Sequence, residues 1–387
     1  MSKRVMVITP FIKPGGGPPG YVYNLMKGIE ELSSEDELQN DFHFFGEQSI
    51  GRYKATGEKS AAHKSVRAYL VQLATTLGLK PLHSKKIRDA KKAIRASDLV
   101  VFQGYQEAYL VGFAKKIGKQ TAYMPHSPSV MANEYKMLCG LNGKLCCDAE
   151  YNRLHENEKK IIILVNHILF PSQGARGEYD NAFSDILARK KCFYIKSGAS
   201  IEANIIKSEP LPRNADDPVK VFFVGRYVYH KGYDLFCDAA EIVCKNSIDA
   251  EFYTVGDGPM NIESPHVTNL GWRNDVLEIL KMADIVVVPN RIAYYDLLPL
   301  ECAALGKPLV MTAVGGNVDQ LTDLSDSIVC NKPDADSLAD SIKEAVTYFK
   351  STPFWGLRNQ QSYYKTFCPK EFARRWDLAI GKMVGTA

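Results

Sequence analysis

Short apolar runs of strand length alternate with stretches of helical spacing along the whole chain. Val5–Thr9 reads as a buried strand, followed by a Gly/Pro loop and a helix from about Tyr21 to Leu32. Leu99–Gln103 and Thr121–Met124 read as strands of the same kind, and the apolar run Ile161–Phe170 closes on the loop signal Pro171-Ser172. A second series follows at Val219–Val224, Ala250–Val255, Ile285–Val288, Pro308–Thr312 and Ser327–Val329. β-rich runs separated by helices predict parallel sheets with crossover helices, built twice. The break between the two series falls at Ser208–Pro218, where three prolines and several polar residues form a plausible linker. No short-period repeat and no low-complexity tract interrupts the pattern.

Size agrees with two cores, because 387 residues exceed one ordinary domain. A hydrophobic share of 45% excludes wholesale disorder, and a net charge of +4 excludes a general polyanion binder. The nine cysteines are odd in number and scattered; the one cluster, Cys139, Cys146 and Cys147, matches no zinc spacing. Reduced thiols in a reducing compartment are therefore expected, and no metal. The apolar run after Arg4 is too short for a secretory or membrane-spanning segment, and no later run reaches membrane length. A cytoplasmic protein, soluble or peripheral at the inner face of a membrane, is the expectation.

Three segments carry candidate chemistry. Pro14–Tyr21 places Gly15, Gly16 and Gly17 directly after a strand and before a helix, where bare backbone and a helix N-terminus offer N–H groups to an anion. Pro18 and Pro19 interrupt any dinucleotide fingerprint, and a flexible surface loop would look similar. Val224–Gly232 follows the first strand of the second series and carries Gly225, Arg226 and Lys231. Open α/β sheets bind ligands at the carboxyl ends of their strands. Two cations there suit a diphosphate, with each charge-assisted contact contributing about 1.5–3 kcal/mol; a solvated basic loop is the bland alternative. Asp296–Pro308 puts Glu301 near the start of an apolar helix. There it either complements the helix dipole or reaches a ribose diol.

At these motifs the chain resembles the family-four retaining glycosyltransferases of the GT-B fold. The resemblance runs in order over nearly the whole chain. It takes in the Gly-rich loop, Tyr123–Ser127, Phe170–Ser172, Tyr194–Ala199, the Gly225–Gly232 loop, Val255–Pro259, Leu270–Trp272, Ala283–Pro289 and Pro299–Glu301. It implies an α/β protein of two Rossmann-like domains facing each other across a deep cleft. Residues 1–207 would form the acceptor-side domain, completed by a C-terminal helix at 370–387, and residues 208–369 the donor-side domain. Arg226 and Lys231 would hold the donor diphosphate, Glu301 the ribose, and Gly15 to Gly17 would close over phosphates or sugar. Gly256, Gly258 and Trp272 would line the nucleobase pocket, and His126 would sit beside the reacting sugar. The family carries a further glutamate where this chain has Ala293. Asp296 stands in for that carboxylate, or the backbone amides from Asp296 through Leu297 to Leu298, ahead of Pro299, carry the sugar contacts alone.

The implied activity is transfer of a sugar, with retention, from a UDP- or GDP-sugar to a hydroxyl of a glycan, a lipid-linked or a small-molecule acceptor. His126, Asp296, Arg226 and Lys231 are the catalytic candidates. The nucleotide-sugar serves as co-substrate, with no cofactor and no metal, since no paired aspartates of a metal-binding D-x-D type occur near the site. A sugar-nucleotide epimerase of the same fold and a catalytically degenerate binding protein are the competing readings. Two features lie outside this scheme. Lys80–Arg95 carries seven Lys/Arg against Asp89, with Ile87, Ala90, Lys91 and Ile94 on one side of a helix. It reads as a solvated face or as a contact for anionic lipid or a phosphorylated acceptor. Nucleic acid is not expected, because no aromatics interleave the charges. Near the end, Phe372, Trp376 and Ile380 form an apolar helix face expected to pack between the domains.

Overall fold

The computed structural model describes residues 2–48, 85–104, 106, 108–141, 143–206, 214, 216–260, 262–352 and 354–385. Two six-stranded parallel sheets organise them. The first has strand order β2-β1-β3-β4-β5-β6, built from Arg4–Ile12 (β1), Asp41–Gln48 (β2), Leu99–Gln103 (β3), Gln120–Met124 (β4), His167–Phe170 (β5) and Lys191–Tyr194 (β6). The second runs β12-β11-β10-β7-β8-β9. Its strands are Val219–Val224 (β7), Ala250–Val255 (β8), Val267–Asn269 (β9), Ile285–Val288 (β10), Leu309–Thr312 (β11) and Ser327–Cys330 (β12). Strands β3, β10 and β11 are buried at every position. Helices cover both faces of a doubly wound parallel sheet, so its central strands need no polar alternation.

Local rules explain where the boundaries depart from expectation. The first helix, α1, spans Gly17–Ser34 and so begins four residues before Tyr21. Pro18 and Pro19 sit in its first turn, where a missing N–H costs nothing. The run Ile161–Phe170 is not one strand. Ile161–Leu164 ends the helix Asp148–Leu164, and only His167–Phe170 pairs in the sheet. An unbroken apolar run fits a buried helix end as well as a strand, and Val165-Asn166 is the break between them. Most of the proposed linker, residues 208–213 and 215, lies outside the described residues.

The apolar face of the final helix, Pro369–Val384, packs within the first domain and not between the domains. It lies on α1 and completes the core of the first sheet. Phe372, Trp376 and Ile380 are buried with Val5, Val7, Tyr21 and Leu25, and the Trp376 indole N–H donates to the Tyr21 hydroxyl at 3.0 Å. Asp377 accepts the backbone N–H groups of Gln39 (2.8 Å) and Asn40 (3.2 Å), fixing the turn into β2. The segment before it, Leu357–Phe367, buries Tyr363 and Phe367 in the same core as Phe222 and Leu300 of the second domain. The chain therefore crosses from the second core back to the first near Cys368.

Candidate active site

In both sheets the strand order reverses beside the first strand, at β1/β3 and at β7/β10. The crevice outside the carboxyl ends of strands at such a reversal is where open α/β sheets bind ligands. The two crevices face each other across one cleft of about 1020 Å³. Gly15, Gly16, Gly17, His126, Gly225, Arg226, Lys231, Gly256, Trp272, Asp296 and Leu297 all line it. Gly258, Leu298, Pro299 and Glu301 do not. Gly258 packs on the backbone of Tyr227, where a Cβ would come within 2.5 Å of its carbonyl oxygen. The other three lie in the helix Leu298–Ala304, Pro299 buried and Glu301 half-buried.

The β7 loop is shaped by contacts with the exit of β10. Tyr229–Lys231 form a 3₁₀ turn closed by Gly232, whose φ is +68°. A Cβ on Gly232 would come within 1.9 Å of the Pro289 carbonyl, so only glycine allows the turn to seat there. The carbonyl of His230 accepts the N–H of Arg291 at 3.0 Å, while Arg291 clamps Asp234 with two bonds of 2.6 Å and lies 3.9 Å from the Tyr229 ring. Lys231 then reaches Asp296 at 2.5 Å, and Asn290 donates to the same carboxylate oxygen at 2.8 Å. Burial works against ionisation of Asp296, but the Lys231 charge and these two hydrogen bonds outweigh it and hold the carboxyl below its ordinary range. Arg226 is exposed in the cleft and makes no ion pair among the described residues.

Comparison with known proteins agrees with this geometry. Residues 218–347, which span β7 to β12, match the family model described as glycosyl transferases group 1. A phosphatidylinositol N-acetylglucosaminyltransferase subunit of Arabidopsis thaliana is 22% identical over 98% of this chain and 82% of its own length. Sucrose-phosphate synthase from Thermosynechococcus elongatus superposes over 100% of both chains with a TM-score of 0.65 at 15% identity. Anabaena HepE in complex with UDP-glucose does so over 98% of this chain and 100% of its own, with a TM-score of 0.58 at 13% identity. The chain is a GT-B glycosyltransferase.

The transferase brings its first domain to the cleft through β1, β3 and β4. Pro18 and Pro19 have no N–H and the Gly20 N–H is used by the first helical bond, so at the start of α1 only Gly16 and Gly17 can donate to an anion. The Gly-rich loop thus presents few N–H groups to the cleft, while Arg226 and Lys231 line the same cleft from the second domain. His126, just past β4, has a positive φ of +59° and its ring lies 4.4 Å from Tyr21 and 6.5 Å from Tyr294. Its Nε2 is hydrogen-bonded to Gln103 Oε1 at the end of β3. Burial pushes the imidazole down to about 3, so it is neutral at ordinary pH.

Tyr294 crosses between domains. It belongs to the loop carrying Ala293, yet its ring is buried in the core of the first domain. The backbone of that loop is pinned from below, the Ala293 carbonyl accepting the Gly316 N–H at 3.1 Å and the Asp296 carbonyl accepting Gln320 at 2.8 Å. Two further bonds join the domains, Gly174 N–H to Asp319 at 2.8 Å and Lys196 to Asp323 at 2.5 Å. Gln103, Asn290, His230 and Tyr294 escaped the sequence reading, since each is defined by a partner from a distant segment.

Among the described residues the nine cysteines are all free, no His/Cys/Asp/Glu group could hold a metal ion, and no helix is long and apolar enough to cross a membrane. Lys80 lies outside the described residues. Lys85–Arg95 forms a helix that buries only Ala90 and Ile94; Lys91 and Arg95 each lie 5.1 Å from the Phe113 ring, and Lys86 lies 5.9 Å from Phe11 at the cleft mouth.

Proposed function

We propose that this glycosyltransferase moves a sugar from a nucleotide-diphosphate sugar, UDP before GDP, to an acceptor hydroxyl with retention and without a metal. The observation that carries the reading is that Arg226 and the Lys231–Asp296 pair line one cleft at the β7/β10 reversal, together with His126 from the first domain. A diphosphate laid against Arg226 gains a charge-assisted pair worth about 1.5–3 kcal/mol, and the same contacts strengthen as negative charge grows on the departing phosphate. The C1–O bond to phosphate breaks, the acceptor oxygen bonds to C1 on the same face, and its proton passes to the departing phosphate oxygen. Neutral His126 donates or accepts a hydrogen bond at the sugar without altering the charge of the site. Asp296 is the sugar-side carboxylate in place of the one missing at Ala293. Glu301 takes the ribose after a local approach of its helix, and Gly258 supports the nucleobase wall from behind.

The complex of Anabaena HepE with UDP-glucose supports the choice of UDP. The name of the Arabidopsis relative supports a lipid-borne acceptor. With it goes a peripheral position on anionic lipid at the cytoplasmic face, held by the cationic helix Lys85–Arg95. Calorimetry with UDP, UDP-sugars and GDP, with and without EDTA, tests the donor reading. Saturable UDP binding that EDTA leaves intact and Arg226→Ala weakens tenfold or more is the expected result. No nucleotide binding, or binding that needs a divalent ion, overturns it.

A further inference from the structure

One part of the cleft wall on the first-domain side is a face of the helix Met131–Leu141. Met131, Glu134, Tyr135 and Leu138 recur at the spacing of a single helical stripe, and all four line the cleft. The stripe is apolar except for one carboxylate. Ser127, the residue after His126, donates its hydroxyl to Glu134 Oε2 at 2.9 Å. Among the described residues Oε1 has no partner, and Glu134 faces no lysine or arginine within ion-pair distance. The helix start is anchored from beneath, where buried Glu158 accepts the Met131 N–H at 2.7 Å and the Tyr123 hydroxyl at 3.2 Å. Glu134 is therefore a positioned acceptor of hydrogen bonds, half-buried, held by the neighbour of the histidine at the heart of the cleft.

We propose that this face is the acceptor subsite and that it takes an uncharged polyhydroxylated ring carried on an apolar group. Glu134 Oε1 accepts a hydroxyl of the ring, while Met131, Tyr135 and Leu138 cover its C–H face and the start of the apolar group. An unpaired carboxylate repels phosphate at this position, so any anionic part of the acceptor lies farther out, toward Lys86. The inference rests on the transferase reading above, which supplies the donor opposite.

The test loads the full chain with UDP and titrates it with octyl β-D-glucoside, octyl β-D-galactoside, octyl α-D-mannoside and octyl sulfate, each below its micelle concentration. At least one octyl glycoside binds saturably, with affinity reduced tenfold or more in Glu134→Ala and about threefold in Glu134→Gln, while UDP affinity stays unchanged in both. Octyl sulfate binds weakly to the wild type and more tightly to Glu134→Gln. Equal glycoside affinity in the wild type and Glu134→Ala, or no glycoside binding to the UDP-loaded protein, overturns the subsite. Failure of UDP itself to bind the wild type overturns the transferase reading instead. Unchanged UDP affinity in Glu134→Gln verifies that the fold survives.

Discussion

The amine of Lys231 rests 2.5 Å from the carboxylate of Asp296, so one of the two cations assigned to the donor is already neutralised before any ligand arrives. The other, Arg226, is not. The two positions should therefore respond differently to removal. Arg226→Ala should weaken nucleotide binding by about 1.5–3 kcal/mol while leaving the melting temperature nearly unchanged. Lys231→Ala should weaken binding and also destabilise the fold by about 1–3 kcal/mol, because the Asp296 carboxylate loses its counter-charge. Calorimetry with UDP and thermal unfolding, run on both variants, separate the two effects.

Asp296 gives a pH test. Its folded carboxyl titrates below the ordinary value of 3.8, because Lys231 and Asn290 outweigh the cost of burial. The stabilisation is therefore complete above that ordinary value and is lost as the pH falls through the lower folded one. Asp296→Asn should be less stable than the wild type at pH 7, and the gap should be narrower at pH 3, below the ordinary carboxyl value. Urea unfolding at both pH values checks this; a constant gap would contradict the ion pair.

Glu158 and His126 in the first domain should act in opposite directions. Burial raises Glu158 from 4.5 to about 7, against the bonds from Met131 and Tyr123. Its contribution is whole below pH 4.5 and is lost as the pH rises toward 7, so Glu158→Gln should gain up to about 3 kcal/mol relative to the wild type between pH 5 and 8. Burial lowers His126 from 6.5 to about 3, so its contribution is whole above 6.5 and declines as the pH falls toward 3. His126→Gln should remove that part of the acid sensitivity. Melting curves across pH 3 to 8 resolve both, and no limb of the rate profile between pH 6 and 8 should vanish with His126.

Gly256 should not tolerate a side chain. A Cβ there would stand 1.8 Å from the Gly225 carbonyl, and the backbone has φ +149°. Gly256→Ala should push the β7 and β8 loops apart, cost about 1–3 kcal/mol of stability and raise the UDP dissociation constant. Calorimetry and thermal unfolding measure both losses.

The fold was legible wherever burial is two-sided. Val219–Val224 and Ile285–Val288 are strands at the expected residues, because central parallel strands are mainly apolar runs. Three of the four edge strands were not: Asp41–Gln48, Lys191–Tyr194 and Val267–Asn269 mix polar or charged residues with apolar ones and carry no such run, whereas the edge strand Ser327–Cys330 was read from its residues. The site was legible where one loop carries several functional groups, as from Gly225 to Lys231. It was illegible where a role depends on tertiary approach. Nothing in the spacing of Lys231 and Asp296, sixty-five positions apart, announces their ion pair. Nor does the sequence show that Tyr294 leaves its own domain, or that helix Leu298–Ala304 keeps Glu301 out of the cleft wall.

The bond from Trp376 to Tyr21 joins residues 355 positions apart. A nascent chain has the whole first sheet and α1 outside the ribosome before the helix that seals that core has been translated. Until then the outer side of α1 is bare hydrocarbon, and a ribosome stalled before Pro369 displays a sticky, half-made domain to chaperones and proteases.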